Sequence, residues 1–485
     1  MTQIIEPAHP PMVEADNLRT EFASAMSAMY KQEVPLYGDL IKIVRDINAA
    51  TVDPTSDTVA LRASAERLTL ERHGAIRLGT PYELQTMRRI FRVLGMQPVG
   101  YYDLSVAGLP MHATCFRPRT TSSLDRNPFR VFTTLLRPEL LASEAAREQA
   151  ISLLKQREIF TDKLLKLLDV AEAQHHRLTR EQAAVFVPEA LRSFSWQSVA
   201  AATYEQYQVL KHEHPILADI ACFQSAHINH LTPRTLDIAE VQATMKAAGM
   251  AVKSRIEGPP LRKCPILLRQ TSFLALEETV NFKTSSGPGE SHWVRGTHKA
   301  RFGEIEERGA AVTPKGRQLY DRLLEESMAQ ATGADPEQVD AVMAAVFKQY
   351  PDDWTELRQQ GLIYCEYRCT GKDGMDALPQ DRSSAYSLEQ LIGEGRIEAS
   401  PITYEDFLPF SAAGIFQSNL QSQGPTSNRV LCQEGKSDRE GLERALQERP
   451  MDVDEWYQRA QTQSLERNGL NFMVRLAYTF KNCKP

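Results

Sequence analysis

The chain has 485 residues, 42% hydrophobic and 24% charged, with a formal net charge of −6. This is a globular composition with enough chain for several domains and a large core. The chain carries no long basic tract for nucleic acid, no run of ~18 apolar residues for a membrane span, and no apolar signal-peptide run in its first residues. A cytoplasmic protein is expected. The seven cysteines are scattered and odd in number, which argues against a disulfide framework, and the one close pair, Cys365 and Cys369, lacks a second pair to complete a metal site.

Residues 1–70 read as a helical segment, since Leu18, Phe22, Met26, Met29 and Tyr30 fall at helical spacing and a helix over 56–72 leads to His73. Residues 71–138 read as a βαβββ unit, with strands over 73–78, 98–104, 109–117 and 129–137 and a helix over 81–94. Thr80 and Pro81 start that helix, and Val106 to Gly108 turn between two strands. Residues 139–222 are a helical insertion in which His175, His176, His212 and His214 read as solvated.

Residues 223–310 read as a second βαβββ unit, with strands over 227–233, 251–257, 264–273 and 300–306 and a helix over 237–249. A flexible loop is expected over 283–299, where Ser285 to Gly289 are turn-formers. Helices follow within 311–400, over 314–330 and 335–360. Residues 401–420 are apolar and turn-rich, and 421–485 form a polar tail, a Gln/Ser/Gly/Asn linker followed by a helical stretch. The fold class is α+β: two βαβββ units around a cleft, with large helical insertions.

The two units carry a matched feature. His73 and Arg77, and again His230 and Arg234, recur as His-x3-Arg, each followed by a helix, a Gly-Met stop and a strand. A histidine at the same place in two copies of a unit can deliver both imidazoles to one centre, and in a cytosolic protein that suggests a metal. A third ligand is available on the last strand of the second unit. Alternation there puts Phe302, Glu304 and Glu306 on one face and Gly303, Ile305 and Glu307 on the other. Glu304 and Glu306 compete for the role, Glu306 having also a surface reading near the strand end. Two histidines and a carboxylate leave three open positions, a set suited to Fe(II) and oxygen chemistry. His227 competes with His230, but in a strand the two point to opposite faces, and the repeat register selects His230. His112 could also line the cleft. Arg77 suggests an anionic organic substrate, whereas Arg234 is equally well read as a structural ion pair.

The segments Glu71 to Arg77, His227 to Arg234, Arg269 to Phe273, Arg301 to Arg308, Tyr404 to Pro409 and Ser411 to Leu420 resemble the 2-oxoadipate dioxygenase/decarboxylase family, over roughly residues 17–420. That family lies in the vicinal oxygen chelate superfamily. The resemblance implies one Fe(II) held by His73, His230 and Glu304, with Arg77 contacting substrate. It implies conversion of 2-oxoadipate and O2 to 2-hydroxyglutarate and CO2, a step of lysine catabolism. A 2-oxo acid can chelate through its keto oxygen and C1 carboxylate and leave one position for O2. The segment Phe407 to Gly414 is expected to cover the cleft, with Ser411 donating to a carboxylate and Phe410 either narrowing the pocket or packing outward. Rival readings are a Zn or Mn lyase or isomerase on the same scaffold, and a carboxylate-binding protein without turnover.

Overall fold

The computed structural model describes residues 11–51, 65–284, 293–370, 387–408 and 437–467. In chain order the chain forms α1 (Ala15–Glu33), α2 (Pro35–Thr51), α3 (Ala65–Leu70), β1 (Arg72–Leu78), α4 (Pro81–Val93), β2 (Gln97–Asp103), β3 (Met111–Arg117), α5 (Thr121–Arg126) and β4 (Arg130–Leu136). The insertion supplies α6 (Glu144–Lys155), α7 (Asp162–Ala173), α8 (Arg180–Arg192), β5 (Val199–Thr203), α9 (Tyr204–Glu213) and α10 (Pro215–Ala221). Then come β6 (Leu231–Pro233), α11 (Ile238–Ala247), β7 (Leu268–Ser272), β8 (Glu277–Lys283), β9 (Trp293–Lys299) and β10 (Glu304–Arg308). The rest forms α12 (Pro314–Gln330), α13 (Pro336–Val346), α14 (Trp354–Gln359), β11 (Cys365–Cys369), α15 (Leu388–Gly393), β12 (Ile397–Pro401), α16 (Arg439–Leu446) and α17 (Val453–Arg467).

The result is a mixed α and β architecture. One five-stranded sheet has the order β2-β3-β4-β1-β6. β1 runs parallel to β4, β4 antiparallel to β3, and β3 antiparallel to β2. The α4 crossover begins where expected because the Thr80 side chain accepts from the Glu83 N–H and Pro81 needs no donor partner. In the later segment Arg234 bridges Glu306 in parallel, β10 runs antiparallel to β7, and β7 meets Val252 and Glu257 through antiparallel bridges. β6 pairs antiparallel with β1 and brings the two segments together.

Several expected strands of that segment are shorter. The 227–233 strand is reduced to β6, the 251–257 strand to isolated bridges at Val252 and Glu257, and the 300–306 strand is displaced to β10. The loop expected over 283–299 is corrected in part. Residues 293–299 form β9, which pairs antiparallel with β8 in a separate sheet of order β5-β8-β9.

Both faces of the main sheet are covered. Ile76, Leu78, Val131 and Leu135 face a core built with α1, α2 and α4. Ala75, Phe132 and Leu136 face a second core that reaches Leu217 of α10 and Trp456 and Tyr457 of α17. His73, Ala75 and Arg77 therefore share one face of β1 by simple alternation. Gly74 lies on the other face, where a Cβ would come within 2.5 Å of Ile228 Cδ1 and 2.9 Å of the His230 carbonyl oxygen. Glycine at this point lets the chain before β6 lie close against β1 and carry His230 beside His73. The Tyr30 hydroxyl of α1 lies 2.8 Å from the carbonyl oxygens of both Asn229 and Phe302, pinning that chain to the approach to β10.

Candidate metal centre

His73 from β1, His230 just ahead of β6 and Glu304 at the start of β10 are buried together, their ligand-type atoms all within 4.8 Å of one another. His73 Nε2 is 3.0 Å and His230 Nε2 3.8 Å from Glu304 Oε1. That oxygen also accepts from Thr232 Oγ1 and Gln270 Nε2, each at 2.9 Å. Thr232 stands opposite His73 in the β1–β6 ladder, so pairing register places both on the same face. The rings are boxed in: Phe407 packs edge-on against His73 at 4.9 Å, and Phe302 lies 4.8 Å from His230.

The donor set fits a metal ion. Glu304 Oε2 is buried and has no hydrogen-bond partner among the described residues. An uncompensated buried carboxylate oxygen is costly, and a bound cation would satisfy it. Burial lowers the His230 pKa to about 4, so its imidazole is neutral and has a lone pair to give. Burial also works against protonating His73, but Glu306 and Glu304 more than offset it and raise its pKa. The His73 ring lies between the two carboxylates, with Nε2 toward Glu304 and Nδ1 toward Glu306, and a metal ion would take the place of a proton at Nε2.

Glu306 is corrected from its surface reading. It is fully buried on the same face as Glu304, and its Oε2 lies 2.8 Å from His73 Nδ1. Arg308 grips both its oxygens at 2.9 Å. Burial would raise the Glu306 pKa, but Arg308 and His73 hold it well below the usual carboxylate range. Glu306 thus orients His73 from behind, leaving Glu304 as the carboxylate that faces both histidines. β10 runs in the opposite direction to β7, whose Gln270 holds Glu304 from the far edge.

Arg77 lies on the His73 face of β1 and its Nη1 donates to Asp219 Oδ2 at 2.5 Å. Arg234 donates to Glu71 at 3.2 Å, the structural ion pair that was one of its two readings. His227 is buried but belongs to a second group, with Asp219 and His298. The strand premise used to separate it from His230 does not hold, since residues 224–230 are not a strand. His112 is not near the centre: its Nδ1 lies 3.2 Å from the Asp438 carbonyl oxygen and its ring packs on Tyr101. His214 is not solvated; its side chain caps α10 by accepting from the Ile216 N–H at 3.1 Å. Phe410 and Ser411 lie outside the described residues. A cavity of about 440 Å³ borders Arg67, Glu405 and Trp456, and none of the three candidate ligands lines it.

Two residues escaped the sequence analysis. Asp219 sits within a helix of the insertion, where nothing marks it out. His298 was hidden in the supposed loop; reading the stretch from Trp293 as a strand would have put it at the buried end.

The arrangement defines a mixed α and β protein with a buried two-histidine, one-carboxylate centre. The chain belongs to the 2-oxoadipate dioxygenase/decarboxylase family, whose model matches residues 22–419. It is 48% identical over 461 residues to the 2-oxoadipate dioxygenase/decarboxylase of Shigella flexneri, covering 94% of this chain and 99% of that protein. It is 47% identical over 461 residues to the Pseudomonas putida protein of the same name, covering 94% and 96%. Among solved structures, the hydroxyglutarate synthase of Pseudomonas putida in complex with 2-oxoadipate matches with a TM-score of 0.81 and 44% identity, over 94% of this chain and 98% of that one.

Proposed function

We propose that this chain is an iron-dependent enzyme that converts 2-oxoadipate and O2 to 2-hydroxyglutarate and CO2. Membership of the family gives the reaction, and the buried His73–His230–Glu304 group with its unpartnered Glu304 oxygen is the observation that carries it. The reaction balances without an external reductant: the C1 carboxyl leaves as CO2, and both atoms of O2 end in the products. Ferrous iron, when bound, supplies the chelating positions for the 2-oxo acid and the activation of O2.

The protein's part is to hold, orient and exclude. Thr232 and Gln270 fix Glu304, Glu306 fixes His73, and Phe407 and Phe302 keep water from the rings. Arg77, on the ligand face of β1, is the proposed partner of a substrate carboxylate. The pairing scheme of β1 to β4, repeated by β6, β10, β7 and the bridges at Val252 and Glu257, supports a reading as two vicinal oxygen chelate units over 71–138 and 223–310. Cys115, Cys222, Cys264 and Cys365 are not joined in disulfides, which supports a reducing, cytoplasmic setting. No helix among the described residues is long and apolar enough to cross a membrane.

The test is anaerobic loading with Fe(II), Mn(II) or Zn(II), followed by oxygen uptake and product analysis over C4 to C7 2-oxo acids. Oxygen uptake matched by CO2 and 2-hydroxyglutarate, with Fe(II) alone, is expected. Turnover without oxygen uptake, or equal activity with Zn(II), would overturn the iron reading in favour of a Lewis-acid lyase or isomerase.

A further inference from the structure

Asp219 is the hub of a second buried group, built from three parts of the chain. Asp219 comes from α10, His227 from the segment before β6, and His298 from β9. His227 Nε2 lies 3.0 Å and His298 Nε2 2.8 Å from the same oxygen, Asp219 Oδ1. The other oxygen, Oδ2, accepts from Arg77 Nη1 at 2.5 Å. Behind this layer, Tyr207 Oη is 3.0 Å from His298 Nδ1, and Trp196 stacks on His298 with the planes 9° apart.

We infer that Asp219, clamped by His227 and His298, is a positioning group that holds the Arg77 guanidinium where it meets the substrate carboxylate. This rests on the reading of Arg77 as the substrate partner. The geometry argues for it in three ways. A buried carboxylate that accepts on both oxygens cannot turn, so the guanidinium it bonds is held too. With Asp219 ionised, each histidine presents an Nε2–H to Oδ1, and the Tyr207 hydroxyl, 3.0 Å from both His298 Nδ1 and the Thr297 carbonyl oxygen, braces the His298 ring from behind. Arg77 is four residues from His73 on the same strand face, so whatever sets its guanidinium sets it relative to the metal ligands.

A second metal ion is the competing use of two histidines and a carboxylate. Charge weighs against it: the group has a single carboxylate, already paired with a guanidinium, and a divalent ion there would sit beside Arg77 in a buried place. The His73 group instead has two carboxylates, Glu304 and Glu306, near its rings.

The test is a double-mutant cycle on the metal-loaded protein, read by anaerobic calorimetric titration of 2-oxoadipate, steady-state KM and kcat, metal content and thermal melting. Arg77→Ala is expected to raise Kd more than 30-fold. Asp219→Asn should raise Kd and KM about 10-fold with less than a 3-fold change in kcat and one metal still bound. Because the Asp219 variant may unfold, His298→Gln and Tyr207→Phe serve as milder changes, each expected to raise Kd about 3-fold. In an Arg77→Ala background, Asp219→Asn and His298→Gln should each add less than 2-fold, since residues acting through one another are not additive. Multiplicative effects, or a wild-type content of two metals per chain falling to one in Asp219→Asn, would overturn the positioning role while leaving Arg77 as the substrate partner. An unchanged Kd in Arg77→Ala would instead sink the reading of Arg77, and this inference with it.

Discussion

Glu306 touches the centre only through His73, and that makes its role separable from that of a ligand. Glu306→Gln keeps the shape and removes the charge that holds His73 Nδ1. Loss of such an outer partner of a metal-ligating histidine costs about 10- to 100-fold in metal affinity. Titration with Fe(II) under argon should show that weakening with the melting curve of the metal-free protein little changed; a total loss of binding would make Glu306 a ligand in its own right. His73→Ala, His230→Ala and Glu304→Ala should each abolish metal binding, whereas His227→Ala should retain it, because His227 faces Asp219. Metal analysis after desalting checks this, and the reverse result for His227 and His230 would exchange their roles. At Arg77, loss of a charged partner for a desolvated carboxylate should cost on the order of 2–5 kcal/mol in substrate binding. Arg77→Lys should also be impaired, since an ammonium cannot bond Asp219 and a substrate carboxylate with one planar fork. A wild-type Kd in Arg77→Lys would show that charge alone is enough.

At the scale of elements, residues 71–138 were legible because their strands are largely buried and α4 has an N-cap and a proline at its start, although the short α5 was not foreseen. Four strands and α4 fall within two residues of expectation. The strands expected over 223–310 were blurred because their hydrogen bonding is interrupted: Val252 and Glu257 pair singly, and a strand pattern read from side chains cannot show that. The β8–β9 hairpin was missed because most of β9 is solvent-facing, with only His298 well buried, so it lacks apolar alternation. Of the insertion's histidines, His175 and His212 are exposed as expected, but His214 was misjudged for a related reason: it looks like a surface residue in sequence but caps α10, the helix that carries Asp219. Burial, with the nearby Arg77 charge, lowers its pKa to about 4, against ~6.5 for an unfolded chain. Between those values the unfolded chain binds more protons, so stability is full above about pH 6.5 and is lost as pH falls toward 4. His214→Asn keeps a cap acceptor and does not titrate. The difference between the two stability profiles of metal-free protein should therefore be flat above pH 6.5 and shrink wild type by about 1–2 kcal/mol by pH 4. Parallel profiles across that range would remove the cap from the acid response.

At the scale of the whole molecule, the C-terminal helices reach toward the candidate metal centre. Residues 421–485 were expected as a polar linker and helical tail, and the helices α16 and α17 are there, but they carry buried Leu442, Leu446, Trp456 and Tyr457. No spacing in that stretch announces this, because short helices that dock by a few side chains leave a mostly polar sequence. α17 supports the strap formed by residues 404–408. The Tyr457 hydroxyl donates to Asp406 Oδ2 and accepts from the Glu405 N–H, both at 2.7 Å. Arg117 grips Asp406 at 2.8 and 3.0 Å, and Arg308 donates to the Tyr404 and Asp406 carbonyls at 2.8 and 3.0 Å. Phe407, the next residue, is the wall against His73. A chain of contacts therefore runs from α17 through the strap to the ligand, and from the ligand back through Glu306 to Arg308. Tyr457→Phe removes the hydroxyl while leaving the ring, so Asp406 and the Glu405 N–H each lose a buried partner, at a cost of about 1–3 kcal/mol. Phe407 should then be held less firmly, and metal should leave faster: a lower melting temperature together with a several-fold faster loss of Fe(II) to a chelator is expected. Deleting residues 437–485 removes the buried side chains as well and should leave the protein insoluble or unable to keep metal. If Tyr457→Phe melts early but releases metal at the wild-type rate, α17 stabilises the fold without reaching the centre, and the strap's connection to His73 fails.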